Sequence, residues 1–378
     1  MKTPRIGAIG GGQLARMMTP PAIHLGLDFK VLAEAEGSSA GLAVSMVGDY
    51  NQIENLQAFA DSVDVITFDH EHVPLDLLRV LEAAGVSVQP PSKALAFAQN
   101  KLHMRKRLSE LNLPMPNWAE IKTPAELDEF ISVNGGVAIL KTPIGGYDGK
   151  GVRVVRSAAD AAEWFSNIND FGGSLLAEEK VNFVGEVAQL SARTPSGQFK
   201  AWPLVETIQE NGVCAVVIAP RPNTSTAMFD EAENIAKIVA EGLGVTGVLA
   251  VEMFVTAEGR LLINELAMRP HNSGHFSIEG STTSQFEQHL RAVLDLPLGD
   301  TAPKAAWSVM INLLGVDSQN TFVGHFEKAM QLHRQSKLHT YGKGARAGRK
   351  MGHVTVVSDD LDFALAEAKA AAAVLLQG

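Results

Sequence analysis

Two glutamates, Glu252 and Glu265, lie on neighbouring strand-like segments with a spacing suited to holding a metal ion. Residues 248–256 and 260–266 have the composition of β-strands, and the Glu-Gly pair at 258–259 is a turn signal between them. A two-residue turn there pairs Glu252 directly with Glu265, with Cβ atoms about 5 Å apart. Because like charges in this position destabilise a sheet, and Mg²⁺ prefers oxygen ligands, the pattern predicts a magnesium site.

A solvent-exposed strand face is the alternative interpretation of this pair. By the two-residue period of a strand, Phe254 and Ile263 are expected on the same face as the glutamates. A face that carries two large apolar side chains is not simply polar, and this favours the metal site.

A glycine-rich loop, GGYDGKG at 145–151, can bring backbone N–H groups against a polyphosphate, although a simple turn between two strands has a similar composition. The loop is not a P-loop, because Gly151 follows Lys150 and no GxxxxGK[ST] pattern fits. Lys141 ends the apolar strand before the loop. We therefore expect a hinged glycine hairpin that covers the phosphates, with Lys141 contributing positive charge.

The segment after the strand SLLA offers polar groups for a nucleoside. The backbone of residues 178–181 can hydrogen-bond an adenine edge, as extended hinge segments do, and Glu186 can accept ribose hydroxyls. Each of these features alone is typical of an ordinary surface. Their combination with the glycine loop and the paired glutamates indicates a nucleotide site.

The N-terminal glycine loop allows three interpretations. Residues 10–15 fit the pattern G-x-G-x-x-A after a strand, and Glu34 follows the next strand, where a dinucleotide fold places its ribose acid. The pattern is compatible with NAD, with another phosphate-bearing ligand, or with a tight turn.

Strands that alternate with helices predict an α/β fold with three parts. Residues 1–100 are expected to form a doubly wound parallel-sheet domain, residues 101–182 a small α/β lid, and residues 183–378 a mainly antiparallel C-terminal domain with a terminal subdomain from about residue 300.

Composition excludes several classes of protein. The chain has 378 residues, 46% of them apolar, and a formal net charge of −10, which disfavours nucleic-acid binding. No run of 18 or more apolar residues is present and the N-terminus lacks a signal-peptide pattern, so we expect a cytoplasmic protein without membrane spans. Cys214, the single cysteine, is expected to be an inert core thiol.

The combination of strand lysine, glycine loop, hinge and two metal glutamates resembles the ATP-grasp superfamily. Within it, the chain is most similar to the 5-(carboxyamino)imidazole ribonucleotide synthases of purine biosynthesis. The segments that carry this resemblance span nearly the whole chain: GGGQLARM at 10–17, GGYDGKG at 145–151, NELAMRPHNSGH at 264–275, SQFEQHLRA at 284–292 and GRKMGH at 348–353. The resemblance implies an ATP-grasp fold of three domains with ATP between the second and third.

The resemblance also implies site residues, position by position. Those at the nucleotide would be Lys101, Lys141, Gly146, Tyr147, Asp148, Gly149, Lys150, Gly151, Val152, Glu178, Glu179, Lys180, Val181, Glu186, Asn264 and Glu265. Magnesium, or manganese, would bind Glu252 and Glu265. Those at the reacting groups would be Arg269, His271 and Asn272. Those at the second substrate would be Gly12, Gln13, Leu14, Lys343, Arg349 and Lys350.

The implied reaction is an ATP-dependent carboxylation. ATP phosphorylates bicarbonate to carboxyphosphate, and the exocyclic amine of 5-aminoimidazole ribonucleotide attacks this intermediate or the CO₂ it releases. The family implies a homodimer. The chain departs from the family pattern at Met268, where proline is usual, at Gln209, where histidine is usual, and at His72, where asparagine is usual. Another ATP-grasp ribonucleotide ligase is the nearest alternative, followed by an NAD-linked oxidoreductase and by a non-catalytic nucleotide-binding protein.

Overall fold

Three β-sheets with helices on their faces form the fold of the computed structural model, which describes residues 3–145, 151–210, 212–315 and 322–377. The predicted mixed α/β class with a parallel N-terminal sheet is confirmed.

The first sheet is parallel and is built from short apolar strands, as its alternation with helices predicts. It contains β1 (Arg5–Ile9), β2 (Asp28–Ala33), β3 (Val44–Val47), β4 (Val65–Phe68) and β5 (Ser87–Val88), in the spatial order β3-β2-β1-β4-β5. Its helices are α1 (Gln13–His24), α2 (Ile53–Ala60), α3 (Leu75–Ala83) and α4 (Ser92–Gln99). Because β1 and β4 are parallel neighbours, the loops at 10–12 and 69–74 meet at one edge, where the strand order reverses.

A short helix leads into the second sheet. Helix α5 (Lys101–Glu110) begins where the Asn100 side chain accepts hydrogen bonds from the N–H groups of Leu102 and His103. The antiparallel sheet that follows contains β6 (Trp118–Ile121), β7 (Ala138–Lys141), β8 (Val152–Val155) and β9 (Leu175–Glu179), in the order β6-β9-β7-β8. Helices α6 (Pro124–Val133) and α7 (Ala162–Ser166) complete this unit.

The third sheet is antiparallel and runs through the rest of the chain. Its strands are β10 (Phe183–Arg193), β11 (Phe199–Ala201), β12 (Val205–Glu210), β13 (Val213–Ala219), β14 (Gly247–Thr256), β15 (Leu261–Ala267), β16 (Trp307–Leu314), β17 (Lys337–Thr340) and β18 (Lys350–Ser358). The order is β15-β14-β10-β12-β13-β16-β18-β17, with β11 also paired to β10. The C-terminal strands therefore extend the sheet that carries the two glutamates.

Helices cover both faces of this sheet. They are α8 (Thr226–Leu243), α9 (Ser277–Gly280), α10 (Gln285–Val293), α11 (Phe326–Leu332) and α12 (Leu361–Gln377). Helix α8 is capped at its C-terminus by Gly244, with φ +70°. No helix within the described parts of the chain is long and apolar enough to cross a membrane.

The β14–β15 hairpin places Glu252 opposite Glu265, which confirms the predicted pairing, although the predicted turn is wrong. Thr256 N–H donates to the Arg260 carbonyl at 3.0 Å, so the turn has three residues and ends at Gly259, with φ +79°. Met253 therefore pairs with Ile263, and a bulge that follows restores the Glu252–Glu265 pair.

This bulge also corrects the predicted face of the hairpin. Asn264 is the extra residue of the bulge, because the pairing passes from Met253–Ile263 directly to Glu252–Glu265. Ile263 is consequently on the other face, where it packs with Met253 in the core. Phe254 remains on the glutamate side and stacks on Phe183, with ring centroids 4.7 Å apart.

A buried ion cluster joins α5, the second sheet and the hairpin. Glu178 on β9 accepts from Arg105 Nε at 2.7 Å and pairs with Lys141 Nζ at 2.7 Å. Arg105 is fully buried and also donates to the Asn264 carbonyl at 2.7 Å. Burial tends to raise the pKa of Glu178, but Arg105 and Lys141 outweigh burial and lower it. The cluster therefore depends on an ionised Glu178.

Removal of one cation from this cluster should destabilise the protein strongly. We expect Arg105→Met to lower the free energy of unfolding by about 3–5 kcal/mol, because Glu178 stays buried with one partner fewer. The neighbouring Lys106 is the matched control, since its pair with Glu120 at 2.7 Å lies at the surface, where ion pairs contribute about 0–1 kcal/mol. Urea unfolding followed by tryptophan fluorescence measures both losses. Equal losses for Arg105→Met and Lys106→Met would contradict the structural role of the cluster.

The same cluster predicts a pH dependence. Because the pKa of Glu178 is lower in the folded state, its stabilisation is present above the ordinary glutamate pKa and is lost as the pH falls through the folded value. The difference in the free energy of unfolding between wild type and Arg105→Met should therefore become smaller in acid.

Candidate active site

The paired glutamates lie at the centre of a concentrated negative region. Glu252 Oε1 lies 3.1 Å from His271 Nε2, and Glu265 Oε1 lies 3.6 Å from Lys101 Nζ. Burial tends to raise the pKa of Glu252, but the adjacent His271, together with the charges of Lys350 and Arg269, outweighs burial and lowers this pKa. Each carboxylate therefore already faces one cationic or hydrogen-bonding group of the protein.

Glu186 adds a third carboxylate on the neighbouring strand β10. It pairs with Phe254 in the sheet, two residues along from Glu252, so the two acids share a face. Burial, followed by the charge of Glu252, raises the pKa of Glu186 to about 7. Glu186 is therefore held in a setting where burial and a neighbouring carboxylate both disfavour its charged form.

A divalent cation fits this arrangement. Within the described ranges, no group of three or more His, Cys, Asp or Glu side chains has the geometry of a complete metal site. Magnesium does not need one, because it commonly binds one or two carboxylates together with water and substrate phosphates. The opposed carboxylates of Glu252 and Glu265 could provide those oxygen ligands, and the charge of Glu252 contributes to the raised pKa of Glu186 beside them.

Lysines and an asparagine bring the lid and the hairpin together. Lys141 Nζ donates to Asn264 Oδ1 at 3.1 Å, and Lys101 N–H donates to the Pro143 carbonyl at 2.9 Å. Lys101 and Lys141 therefore converge on the end of the hairpin that carries Asn264 and Glu265. All four were predicted at the nucleotide.

In the predicted hinge, residues 178–181, the side chains and the backbone have different roles. The Glu178 side chain is only 2% exposed and belongs to the ion cluster, so contact with a base is left to the backbone. Glu179 accepts from the backbone N–H of Asn117 at 2.9 Å, which fixes the end of β9. Lys180 and Val181 follow in the connection to β10. Gly151 and Val152 open β8, whereas Gly146, Tyr147, Asp148, Gly149 and Lys150 lie outside the described residues.

The loop after β15 carries the predicted reacting residues. Arg269 Nε lies 3.3 Å from Glu71 Oε2, and the Met268 N–H donates to Glu71 Oε1 at 2.5 Å. Asn272 is 7% exposed, and its amide lies against the Cys214 thiol, a weak hydrogen-bonding group, while neither Nδ2 nor Oδ1 has a nitrogen or oxygen partner among the described residues. A buried amide with hydrogen-bonding capacity left over is suited to a ligand that uses it.

Glu71 is a site residue that sequence reasoning missed. It lies after β4 in the segment TFDHEHVP and holds two consecutive residues of the loop after β15, 197 positions away. The only signal was its position after a buried parallel strand, which is where α/β folds place functional residues.

The N-terminal and C-terminal candidates for substrate binding meet in space. Lys343 Nζ donates to Gln13 Oε1 across 330 positions and lies 5.8 Å from the centroid of the Tyr341 ring. Arg349 donates to the Gly344 carbonyl at 3.0 Å, and Lys350 begins β18. Lys343 and Gln13 therefore join the first and third sheets at this point, whereas the Arg349 hydrogen bond stays within its own loop.

Two of the predicted substrate-binding residues, Gly12 and Leu14, can offer a ligand only their backbone groups. The Leu14 side chain is 5% exposed and packs in the core beneath α1, so only its backbone is available to a ligand. A Cβ atom at Gly12 would lie 1.9 Å from Asp69 Oδ2, so this position requires glycine. Asp69 accepts from the Ala15 N–H at 2.8 Å and thereby caps α1.

The Glu34 side chain is hydrogen-bonded to the N-terminal glycine loop itself. Its carboxylate accepts from the Gly11 N–H at 3.0 Å and lies 3.0 Å from His70 Nε2. The hydrogen bond to His70 is the largest cause that lowers the pKa of Glu34, to about 2. A carboxylate held in this way supports the loop, which disfavours the ribose contact of an NAD site.

Cys214 lies on β13 near the acidic region. Burial raises the pKa of its thiol to about 12, so the thiol stays protonated, in agreement with the predicted inert role.

Comparison with known proteins gives a consistent result along the chain. Residues 1–99 match a ribonucleotide synthetase preATP-grasp domain, residues 106–286 an ATP-grasp domain, and residues 308–367 a phosphoribosylaminoimidazole carboxylase C-terminal domain. The chain is 44% identical over 376 residues to the N5-carboxyaminoimidazole ribonucleotide synthase of Corynebacterium ammoniagenes, covering 98% of this chain and 91% of that protein.

Solved structures agree with the sequence matches. The Aspergillus clavatus N5-carboxyaminoimidazole synthase in complex with ADP and 5-aminoimidazole ribonucleotide superimposes with a TM-score of 0.89 at 32% identity, covering 99% of this chain and 98% of that one. The Thermus thermophilus synthetase gives a TM-score of 0.87 at 38% identity, covering 99% of both chains. With matches along nearly its whole length, this chain belongs to the N5-carboxyaminoimidazole ribonucleotide synthase family of ATP-grasp ligases.

Proposed function

We propose that this chain uses ATP and bicarbonate to carboxylate 5-aminoimidazole ribonucleotide, forming N5-carboxyaminoimidazole ribonucleotide, ADP and phosphate in purine biosynthesis. The observation that carries this proposal is the opposed pair Glu252–Glu265 beside the loop that holds Arg269, His271 and Asn272. The Aspergillus clavatus relative, crystallised with ADP and 5-aminoimidazole ribonucleotide, supports the substrate.

ATP is assigned to the space between the second sheet and the β14–β15 hairpin. Lys101 and Lys141 would contact its phosphates, residues 178–181 its adenine and Glu186 its ribose, while residues 146–152 would close over it. Glu252 and Glu265 would hold Mg²⁺, with Mn²⁺ as a substitute. When bound, such an ion neutralises charge that develops on the transferred phosphoryl group.

Arg269 is suited to the carboxyphosphate, because a planar guanidinium can grip two oxygens at once. Glu71 holds Arg269 from the first domain, so the cation is already oriented before substrate binds. Asn272 offers the same group a buried amide that has no nitrogen or oxygen partner among the described residues. In the proposed step the amine nitrogen forms a bond to the carboxyl carbon, phosphate leaves, and the amine releases one proton. Exclusion of water by the closed glycine loop would protect the intermediate from hydrolysis.

The 5′-phosphate of the ribonucleotide is assigned to the region between the first and third sheets. Lys343, Arg349 and Lys350 bring positive charge there, and Gln13 contacts Lys343 directly. The backbone N–H groups at the start of α1 add donors to this region. We further propose that the protein acts as a homodimer in the cytoplasm, as its family implies.

The reaction itself is the first test. ADP release should reach its full rate only when bicarbonate and 5-aminoimidazole ribonucleotide are both present with ATP, because only then does phosphoryl transfer lead to a stable product. A coupled ADP assay with each component omitted in turn measures this. Full ADP release in the absence of either co-substrate would contradict the proposed function.

The metal ligands provide the second test. Glu265→Gln should lower kcat by more than about 100-fold at saturating ATP, because loss of a ligand exceeds the 10–100-fold cost of disturbing the residues around a metal. Raised Mg²⁺ should restore part of the loss if affinity is the cause. Glu258→Gln, in the turn of the same hairpin, is the matched control and should keep its activity. Activity of Glu265→Gln close to wild type would remove the metal assignment.

The phosphate region provides the third test. Lys343→Gln should raise the KM for the ribonucleotide by roughly 10–100-fold, since a hydrogen bond to a charged group contributes about 1.5–3 kcal/mol. The KM for ATP should stay unchanged. Lys337→Gln, an exposed lysine on β17, is the control. A change in the KM for ATP alone would contradict the assignment of Lys343 to the ribonucleotide phosphate.

A further inference from the structure

Gln285, the first residue of α10, makes a two-point hydrogen bond to the backbone of His271. Its Oε1 accepts from the His271 N–H at 2.8 Å, and its Nε2 donates to the His271 carbonyl at 2.8 Å. Both distances are short, and Gln285 is fully buried. A planar amide bound in this way fixes the position of a residue in two directions.

A third contact of the same amide selects the tautomer of His275. Since Nε2 of Gln285 is a donor, the His275 Nδ1 that lies 2.8 Å from it must be the acceptor. The imidazole proton of neutral His275 is therefore on Nε2. That atom is buried and has no hydrogen-bond partner among the described residues.

The backbone around Gln285 is tied to the same loop. Its N–H donates to Ser277 Oγ at 2.9 Å, and Ser277 Oγ in turn donates to the Gly274 carbonyl at 2.6 Å. A Cβ atom at Gly274 would lie 2.4 Å from Gln285 Oε1, so the loop and the amide are in close contact. Few movements of residues 271–277 are possible without a change at Gln285.

His271 transmits this restraint to the metal pair. Its Nε2 lies 3.1 Å from Glu252 Oε1, while its Nδ1 lies 2.9 Å from Ser273 Oγ. The imidazole is thus held at both nitrogens and at its own backbone. A shift of the His271 peptide would move a group that contacts Glu252 directly.

We propose that Gln285 is a positioning residue for the carboxylation reaction: it holds His271 against Glu252 and fixes the Nε2–H tautomer of His275. The inference rests on the proposed role of His271 at the reacting groups. Gln285 itself touches no substrate. It acts through the loop that it binds.

Gln285→Glu is the informative substitution, because it keeps the shape of the side chain and the acceptor for the His271 N–H. It removes the donors to the His271 carbonyl and to His275. We expect kcat to fall by roughly 10–100-fold, since displacement of a reacting group by about 1 Å can cost 10²-fold, while the KM for ATP changes by less than about 2-fold.

Gln288 provides an unusually close control. It is fully buried on the same helix, and its amide makes the same kind of two-point contact, accepting from the Gly299 N–H at 2.7 Å and donating to the Gly299 carbonyl at 2.9 Å. Gly299 lies in the loop after α10, where its nearest side chains are Thr283 and Arg291. Gln288→Glu should therefore lower Tm to a similar extent as Gln285→Glu while leaving kcat within about 2-fold of wild type.

Nuclear magnetic resonance of ¹⁵N-labelled histidine supplies a readout that stability alone does not change. Wild type should show His275 as the Nε2–H tautomer, and Gln285→Glu should move the proton to Nδ1, because a carboxylate accepts but does not donate. The wild-type measurement stands even if the variant does not fold. An Nδ1–H tautomer of His275 in wild type would overturn the inference.

His271→Gln separates this inference from the proposed function. If His271→Gln is inactive and Gln285→Glu keeps wild-type kcat, or loses no more than Gln288→Glu, the positioning role of Gln285 is wrong and the role of His271 stands. If His271→Gln is fully active, the proposed role of His271 and the positioning role of Gln285 are both wrong. Loss of kcat in His271→Gln and Gln285→Glu, but not in Gln288→Glu, supports the inference.

Discussion

The electrostatic repulsion between Glu252 and Glu265 is the constraint around which the site is arranged. Two carboxylates directly opposite in an antiparallel pair are unfavourable unless positive charge reaches them. The fold supplies His271 to one and Lys101 to the other from separate segments. For Glu186, burial and then the charge of Glu252 raise the pKa to about 7. The fold thus holds three acids close together, an arrangement that the proposed divalent ion would stabilise.

Residues that are proposed to hold the nucleotide also connect the parts of the fold. Glu178 lies on the lid, Arg105 on the helix before it, and the Asn264 carbonyl on the hairpin, yet one buried cluster joins them. Lys141 belongs to this cluster and to the predicted phosphate site. Its ammonium group is consequently held near Asn264 before ATP arrives, which reduces the ordering that binding must impose.

The sequence was sufficient for the class of fold and the glutamate pair, but not for the local geometry that produces the pair. A three-residue turn alone would place Asn264 opposite Glu252, and the bulge at Asn264 corrects the register by one residue. The longer turn and the bulge shift the strand register in opposite directions, so a rule that counts residues across a turn detects neither of them. Glu71 and Gln285 were missed for another reason: each acts across a long sequence separation through backbone groups, and composition and period carry no signal for such contacts.

An acidic protein that is proposed to bind three anionic substrates must assemble its positive charge locally. The net charge is −10, and the cations of the site come from α5, β7, the loop after β15 and the segment before β18. Two of these segments, α5 and residues 343–350, are locally basic, but they are far apart in the sequence. In the folded protein Glu71 orients Arg269 and Gln13 contacts Lys343, so contacts with the first sheet fix the position of these cations. Anion binding is therefore coupled to correct packing of the first sheet against the third, which links substrate recognition to the folded state itself.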